Sequence, residues 1–186
     1  MASYEKCIPV ILKNEGGFTD DKFDKGGATN FGISVRFAKG TGDLELFDMD
    51  QDGDIDRDDM YNLTQEVAGE AYKKYFWDKY RLDDLTSDKK ALVIFDAAVN
   101  HGIPNTTAMV QKAIDVCGET ITVDGKFGPK TFSLIESLDE DVFIESFLNI
   151  RSKFYNRIVE KNPTQSKFLK GWLNRIKNLQ KDLSNL

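Results

Sequence analysis

Glu15 closes an apolar stretch, and Asp24 and Thr29 follow it nine and fourteen residues later on a chain rich in glycine. The run reads Glu15-Gly16-Gly17-Phe18, then Asp24-Lys25-Gly26-Gly27-Ala28-Thr29-Asn30-Phe31-Gly32-Ile33. A carboxylic acid that holds its proton, set beside a second, ionised carboxylate, is what glycoside hydrolysis requires. The glycines allow the loop backbone to approach a bulky ligand. On chemistry alone, a Glu at a helix end and an Asp in a loop are more often solvated surface groups, so the constellation needs independent support.

A second constellation is denser. Asp48, Asp50, Asp52, Gly53, Asp54, Ile55, Asp56 and Asp59 fall at positions 1, 3, 5, 6, 7, 8, 9 and 12 of a twelve-residue EF-hand-like loop, residues 48–59. Calcium is a hard cation that takes six to eight oxygens. Asp48, Asp50 and Asp52 turn toward one centre, Asp54 offers its backbone carbonyl, Asp56 acts directly or through a water, and Asp59 replaces the usual bidentate Glu. Gly53 permits the bend and Ile55 is the apolar plug. A bare acidic run reads as a solvated loop, but the spacing here predicts one Ca2+ site. Without a cation the carboxylates repel one another. Phe37–Phe47 contains Gly40 and Gly42 and makes a poor entering helix, so the unit resembles the loop-plus-exiting-helix half-site of dockerin modules more than a paired EF-hand.

The elements that must position these residues are mainly helical. Tyr4, Cys7, Ile8, Ile11 and Leu12 form a helical stripe, blemished by Pro9, that delivers Glu15. Residues 15–33 leave room only for short strands. A long helical pattern runs from about Arg57 to Tyr80. Ser87 caps a helix through Leu92, Phe95 and Val99, and Asn105 caps the run Met109, Val110, Ala113, Ile114 up to Gly118. Pro129 suits the first position of a short helix, and amphipathic patterns at about 140–160 and 166–183 complete the chain.

The acidity of the protein is local. The formal net charge is −6, yet residues 43–59 alone hold nine acids against Arg57, a net −8, and the remaining 24 bases and 22 acids give +2. The bases of the C-terminal stretch, Lys161, Lys167, Lys170, Arg175, Lys177 and Lys181, alternate with core positions and read as a solvated face that also suits an anionic wall. They do not form a nucleic-acid groove. No apolar stretch reaches the roughly 18–20 residues needed to span a bilayer. The first residues lack the pattern of a secretory signal. Cys7 and Cys117 read as reduced core thiols, and His101, the single histidine, cannot build a His cluster and reads as structural. Trp77, Trp172 and most Phe residues read as core.

Glu15-Gly-Gly-Phe18, the spacing to Asp24, and Gly26-Gly27-Ala28-Thr29-Asn30-Phe31-Gly32-Ile33-Ser34 resemble the signature of glycoside hydrolase family 108, the lysozyme-like, endolysin-type muramidases of phages and prophages. Phe95-Asp96-Ala-Ala-Val99-Asn100-His101-Gly102, Gln111-Lys-Ala113, Asp124-Gly125-Lys-Phe-Gly128-Pro129-Lys-Thr131, Arg151 to Tyr155 and Phe168 to Arg175 resemble the peptidoglycan-binding region of the same family.

The resemblance implies a mainly α, lysozyme-like fold of two helical lobes with at most short strands near the active-site loop. It implies a catalytic region over 1–85, carrying the calcium loop, and a helical peptidoglycan-binding region over 86–186, the two packed as one compact unit. It further implies Glu15 as general acid, with Asp24 and Thr29 in the second and third places of a Glu–Asp–Thr arrangement like that of phage lysozymes. Four residues rather than five separate Asp24 from Thr29, and Asp20 and Asp21 are rivals to Asp24. Asn30 and Asn100 are candidate sugar contacts. The expected function is hydrolysis of the β-1,4 bond between N-acetylmuramic acid and N-acetylglucosamine in peptidoglycan, by a monomer stabilised or regulated by calcium. Such a protein is made in a bacterial cytoplasm without a signal peptide, leaves through a holin-type pore or by another export route, and acts in the periplasm. A lytic transglycosylase and a non-catalytic, calcium-dependent wall-binding protein are the alternatives.

Overall fold

The stripe from Tyr4 to Leu12 forms α1 (Tyr4–Asn14), with Cys7 and Ile11 fully buried and Pro9 accommodated inside the helix. The computed structural model describes residues 1–20 and 27–186, which pack as two units, Ile8–Tyr75 and Met1–Cys7 with Phe76–Leu186.

In the unit Ile8–Tyr75, the glycine-rich stretch folds into a small hairpin, β1 (Thr29–Asn30) and β2 (Ile33–Ser34), with Thr29 opposite Ser34 and Asn30 opposite Ile33. Thr19 adds an antiparallel bridge to Thr29. Ser34 then caps α2 (Val35–Thr41), its Oγ accepting the Phe37 N–H at 3.1 Å, and Gly42 ends that helix at φ 68°. A single-turn α3 (Leu44–Phe47) follows. The segment 37–47 is therefore more helical than its glycines suggest. Packing supplies the reason: Phe47 is fully buried and lies with Phe37 around Tyr75, whose hydroxyl donates to Asp43 at 2.6 Å. The expected long helix from Arg57 to Tyr80 is broken. It appears as α4 (Arg57–Asn62) and α5 (Gln65–Tyr72), because Thr64 caps a fresh start by accepting the Val67 N–H.

A π-helical stretch Lys73–Trp77 spans the boundary between the units, and in the second unit two 3₁₀ turns, Asp78–Tyr80 and Leu82–Asp84, lead to α6 (Asp88–Val116). Ser87 caps α6 through the Lys90 N–H at 3.0 Å, as its position predicts. Asn105 does not cap a separate helix. The interruption in α6 is at Gly102 (φ 73°, ψ 163°), and the Asn105 amide donates back to the His101 carbonyl. Ala91–Ala98 is buried almost without a break, and α8 (Glu140–Lys161) and α9 (Ser166–Leu183) pack on this apolar helix. In chain order α7 (Pro129–Ser137) lies between α6 and α8, with Pro129 at its first position. The buried Lys90 ammonium donates to the carbonyls of Ile135 (2.8 Å) and Leu138 (2.6 Å), so a cation stands at the negative end of α7. The architecture is mainly α, as expected. No helix among the described residues is long and apolar enough to cross a membrane.

Candidate active site

Glu15 leaves the last turn of α1, its N–H donating to Leu12 O at 3.2 Å, and its side chain is half-buried. What it faces is decided by the hairpin. Two residues, Phe31 and Gly32, connect β1 to β2, and both are left-handed, at φ 46° and 77°. This is the primed geometry whose twist suits a two-residue hairpin. Phe31 carries a cost of roughly 1–2 kcal/mol for that conformation. The Tyr72 hydroxyl holds it there, donating to Phe31 O at 2.8 Å from a position at the end of α5 that is 1% exposed.

Gly32 then brings bare backbone against the carboxyl. A Cβ at this position would overlap Glu15 Oε2 and Tyr72 Oη and stand 2.9 Å from Glu15 Cδ. The Glu15 carboxyl is thus walled by peptide backbone on one side and flanked by a phenol. A carboxyl fixed in this way can transfer a proton to a bound oxygen without first reorganising. Sequence reasoning had no local signal for Tyr72, which lies 41 residues from its partner.

Thr29 lies in β1. Its backbone exchanges two 2.8 Å hydrogen bonds with Thr19, and its Oγ1 donates to Gly27 O at 3.3 Å. Asp24 and its rival Asp21 lie outside the described residues. The other rival, Asp20, accepts Arg57 Nε at 2.6 Å. Asn30, a candidate sugar contact, is only 6% exposed, and its amide donates to Met60 O (2.9 Å) and Leu63 O (3.4 Å), carbonyls left open where α4 stops. That placement makes it a clamp between the hairpin and α4 rather than a ligand contact. Asn100 belongs to the other unit, exposed on α6 with its amide on Asp96 O.

In the acidic loop, Gly53 takes φ 95° and Ile55 is 4% exposed. Asp48 accepts the N–H groups of Asp52 and Gly53 (3.1 and 2.9 Å), and Asp52 accepts that of Asp54 at 3.0 Å. The carboxylates fall into two groups close enough to share a cation, Asp48 with Asp50 and Asp52, and Asp54 with Asp56 and Asp59. Desolvation, then the like charges of Asp52, Asp59 and Asp48, raise the Asp50 carboxyl above its ordinary value. Asp59 is 1% exposed, and its two oxygens accept the N–H groups of Met49 and Asp56, both at 2.6 Å, closing the loop on the first turn of α4.

The histidine and its neighbours are structural. Asp96, fully buried in α6, accepts Arg151 Nη1 at 2.5 Å and Arg175 Nη2 at 2.8 Å. Burial alone would raise the Asp96 carboxyl; the two guanidinium charges outweigh it and hold it below the ordinary carboxylate value. Arg151 Nε donates to His101 Nε2 at 3.1 Å, and burial together with the Arg151 charge pushes the imidazole down to about 3, so the ring is a neutral acceptor. Arg175, expected on the solvated face, is drawn into this cluster; Lys161, Lys167, Lys170, Lys177 and Lys181 are exposed. Gln111, 1% exposed, pins the turn 124–126 by donating to Asp124 Oδ1 and accepting the N–H groups of Asp124 and Gly125.

The family model described as Glycosyl hydrolase 108 matches residues 8–102, and the model described as Predicted Peptidoglycan domain matches residues 105–177. The family seam thus falls near Gly102, whereas the packing boundary falls at Phe76, either side of residue 85. Among solved structures, SagA of Brucella abortus is similar over 98% of this chain and 94% of its own, at 25% identity and a TM-score of 0.74. No curated protein sequence matches the chain.

Proposed function

The chain belongs to the glycosyl hydrolase 108 family, and we propose that this glycoside hydrolase cleaves the β-1,4 bond between N-acetylmuramic acid and N-acetylglucosamine of peptidoglycan, with Glu15 as the general acid. The observation that carries the reading is the Glu15 carboxyl, half-buried at the end of α1 and framed by the Gly32 backbone and the Tyr72 hydroxyl. Glu15 gives its proton to the glycosidic oxygen as the bond from the anomeric carbon breaks, and water adds to the oxocarbenium-like carbon. The proton of that water passes to a second carboxylate, for which Asp24 is the candidate. A segment that matches a peptidoglycan domain supports the polymer as substrate.

The test is a zymogram on Gram-negative peptidoglycan with the wild type and Glu15→Gln, followed by mass spectrometry of the released muropeptides. Lysis by the wild type with reducing-end products, and a loss of 10²–10⁴-fold in the variant at unchanged thermal stability, is the expected result. A variant with more than about a tenth of the activity removes Glu15 from the role. Anhydro products make the enzyme a transglycosylase.

The second part of the proposal gives loop 48–59 one calcium ion, held by Asp48, Asp50, Asp52, Asp54 and Asp59, with Asp56 direct or through water. The fit rests on the left-handed Gly53, the buried Ile55 and six carboxylates with no cationic side chain among them but Arg57. Each carboxylate oxygen offers two lone pairs, so the Asp59 oxygens can accept an N–H and still face a cation. Bound calcium would supply the missing positive charge. The chain's own contribution is to transmit order: Asp59 closes the loop onto α4, and Asn30 ties the end of α4 to the hairpin beside Glu15.

A further inference from the structure

Two adjoining pockets in the unit Met1–Cys7, Phe76–Leu186 share Gly128 and Pro129. One, of about 180 Å³, is lined by Lys79, Arg81, Phe127, Gly128, Pro129 and Phe132. The other, of about 320 Å³, extends past the shared residues to Lys126, Lys130 and Asp124. The resulting groove displays four cations against one acid on a chain whose net charge is −6. The single acid is already engaged, since Asp124 Oδ1 accepts Gln111 Nε2 at 2.8 Å and the Lys126 N–H at 2.9 Å. Lys79 and Lys130 are exposed and have no ion-pair partner among the described residues.

Arg81 adds a separate argument. It is left-handed at φ 53°, between two 3₁₀ turns, where Gly or Asn would sit without the roughly 1–2 kcal/mol cost of a bulky side chain. It gives one nitrogen to Asp84 while its side chain stays 78% exposed, so most of its five donors are free for a ligand. Strain kept at a displayed cation is a pointer to function. The floor is rigid and apolar: the Phe127 ring packs edge-on against the buried Tyr80 at 4.6 Å, with Phe132 and Pro129 beside it.

Cations around an apolar floor suit a chain of carboxylates and methyl groups. We propose that this groove binds the anionic stem peptide of peptidoglycan, its free carboxylates on Lys79, Arg81 and Lys130 and its alanine methyls on Phe127 and Phe132. This deepens the peptidoglycan reading above and rests on it.

The experiment uses the full chain and measures binding to intact sacculi and to sacculi stripped of stem peptides by an amidase, for the wild type and for Lys79→Gln with Arg81→Asn. Asn tolerates the left-handed conformation, so the double variant keeps the fold, which a thermal melt checks. The wild type should bind intact sacculi about tenfold tighter than stripped ones, the weight of one charge-assisted contact. The double variant should bind both alike and cut the stripped glycan at the wild-type rate. A wild type without preference, a variant that retains it, or equal affinity of the wild type for a single-stranded oligonucleotide overturns the proposal. A preference that persists in a protein unable to cut either substrate overturns the hydrolase reading and leaves the groove standing.

Discussion

Gly32→Ala tests whether the hairpin tip holds the acid. The backbone there sits at φ 77°, where an L-residue costs roughly 1–2 kcal/mol, which for a chain of this size lowers Tm by about 2–8 °C. The added Cβ also overlaps Glu15 Oε2 and Tyr72 Oη. Tyr72 is 1% exposed and tied to Phe31 O, so the half-exposed Glu15 carboxyl is the group that yields, by on the order of 1 Å. A misplacement of that size costs about 10²-fold in rate, or about 2.7 kcal/mol of transition-state stabilisation. Turbidity clearance of purified peptidoglycan reads the rate, and circular dichroism reads the melt. Gly16→Ala and Gly17→Ala are the internal controls, because a Cβ at either meets nothing within 4 Å and neither glycine has a positive φ, although both lie closer to Glu15 in sequence. If Gly32→Ala clears peptidoglycan at more than half the wild-type rate, or if the two controls lose as much as it does, the framing of Glu15 by Gly32 is wrong.

Tyr72→Phe leaves the Phe31 carbonyl without its donor and should lower stability by about 1–2 kcal/mol, together with the lytic rate; an unchanged urea midpoint contradicts the clamp. The His101 imidazole titrates at about 3 when folded against an ordinary 6.5, so the unfolded chain takes the proton first. Its contribution to stability is complete above pH 6.5 and is lost as pH falls toward 3, at up to about 1.4 kcal/mol per unit, or roughly 2 kcal/mol by pH 5. Denaturant melts of His101→Asn, which keeps an acceptor for Arg151, should lack that slope between pH 6.5 and 5. Calcium at about 100 times its dissociation constant should stabilise the protein by roughly 2.7 kcal/mol. A melting temperature indifferent to both calcium and EDTA would remove the ion from loop 48–59.

Periodicity made the long elements legible. The stripes at about 140–160 and 166–183 became α8 and α9 within a residue of their expected ends, and Ser87 and Pro129 start α6 and α7 as their side chains dictate. The break inside 57–80 escaped because Leu63 and Thr64 keep the apolar rhythm, yet Thr64 was a readable cap. Gly102, a better breaker than Asn105, was also readable. That Glu15 stands just past the end of α1 followed from the apolar stripe before it, but the surroundings of its carboxyl did not. Tyr72 reaches Phe31 across 41 residues, and no local pattern encodes such a contact. Asn30 was legible as a polar residue in the right motif, while its burial against Met60 and Leu63 depends on where α4 ends. Asp96, interrupting the apolar run Ala91–Ala98, was the available sign of a buried charge pair, and only tertiary packing says that its partners are Arg151 and Arg175.

The charge cluster around Asp96 also bears on how such a chain can be recombined. Asp96 and His101 fall within the residues matched by the hydrolase family, whereas Arg151 and Arg175 fall within those matched by the peptidoglycan domain. A crossover at the seam between 102 and 105 therefore divides an acid from both of its bases. Each half would strand a buried charge, at several kcal/mol, unless its new partner restored the complement. A chimaera that exchanges the segment after Gly102 for that of a relative must therefore carry the acid across with its arginines.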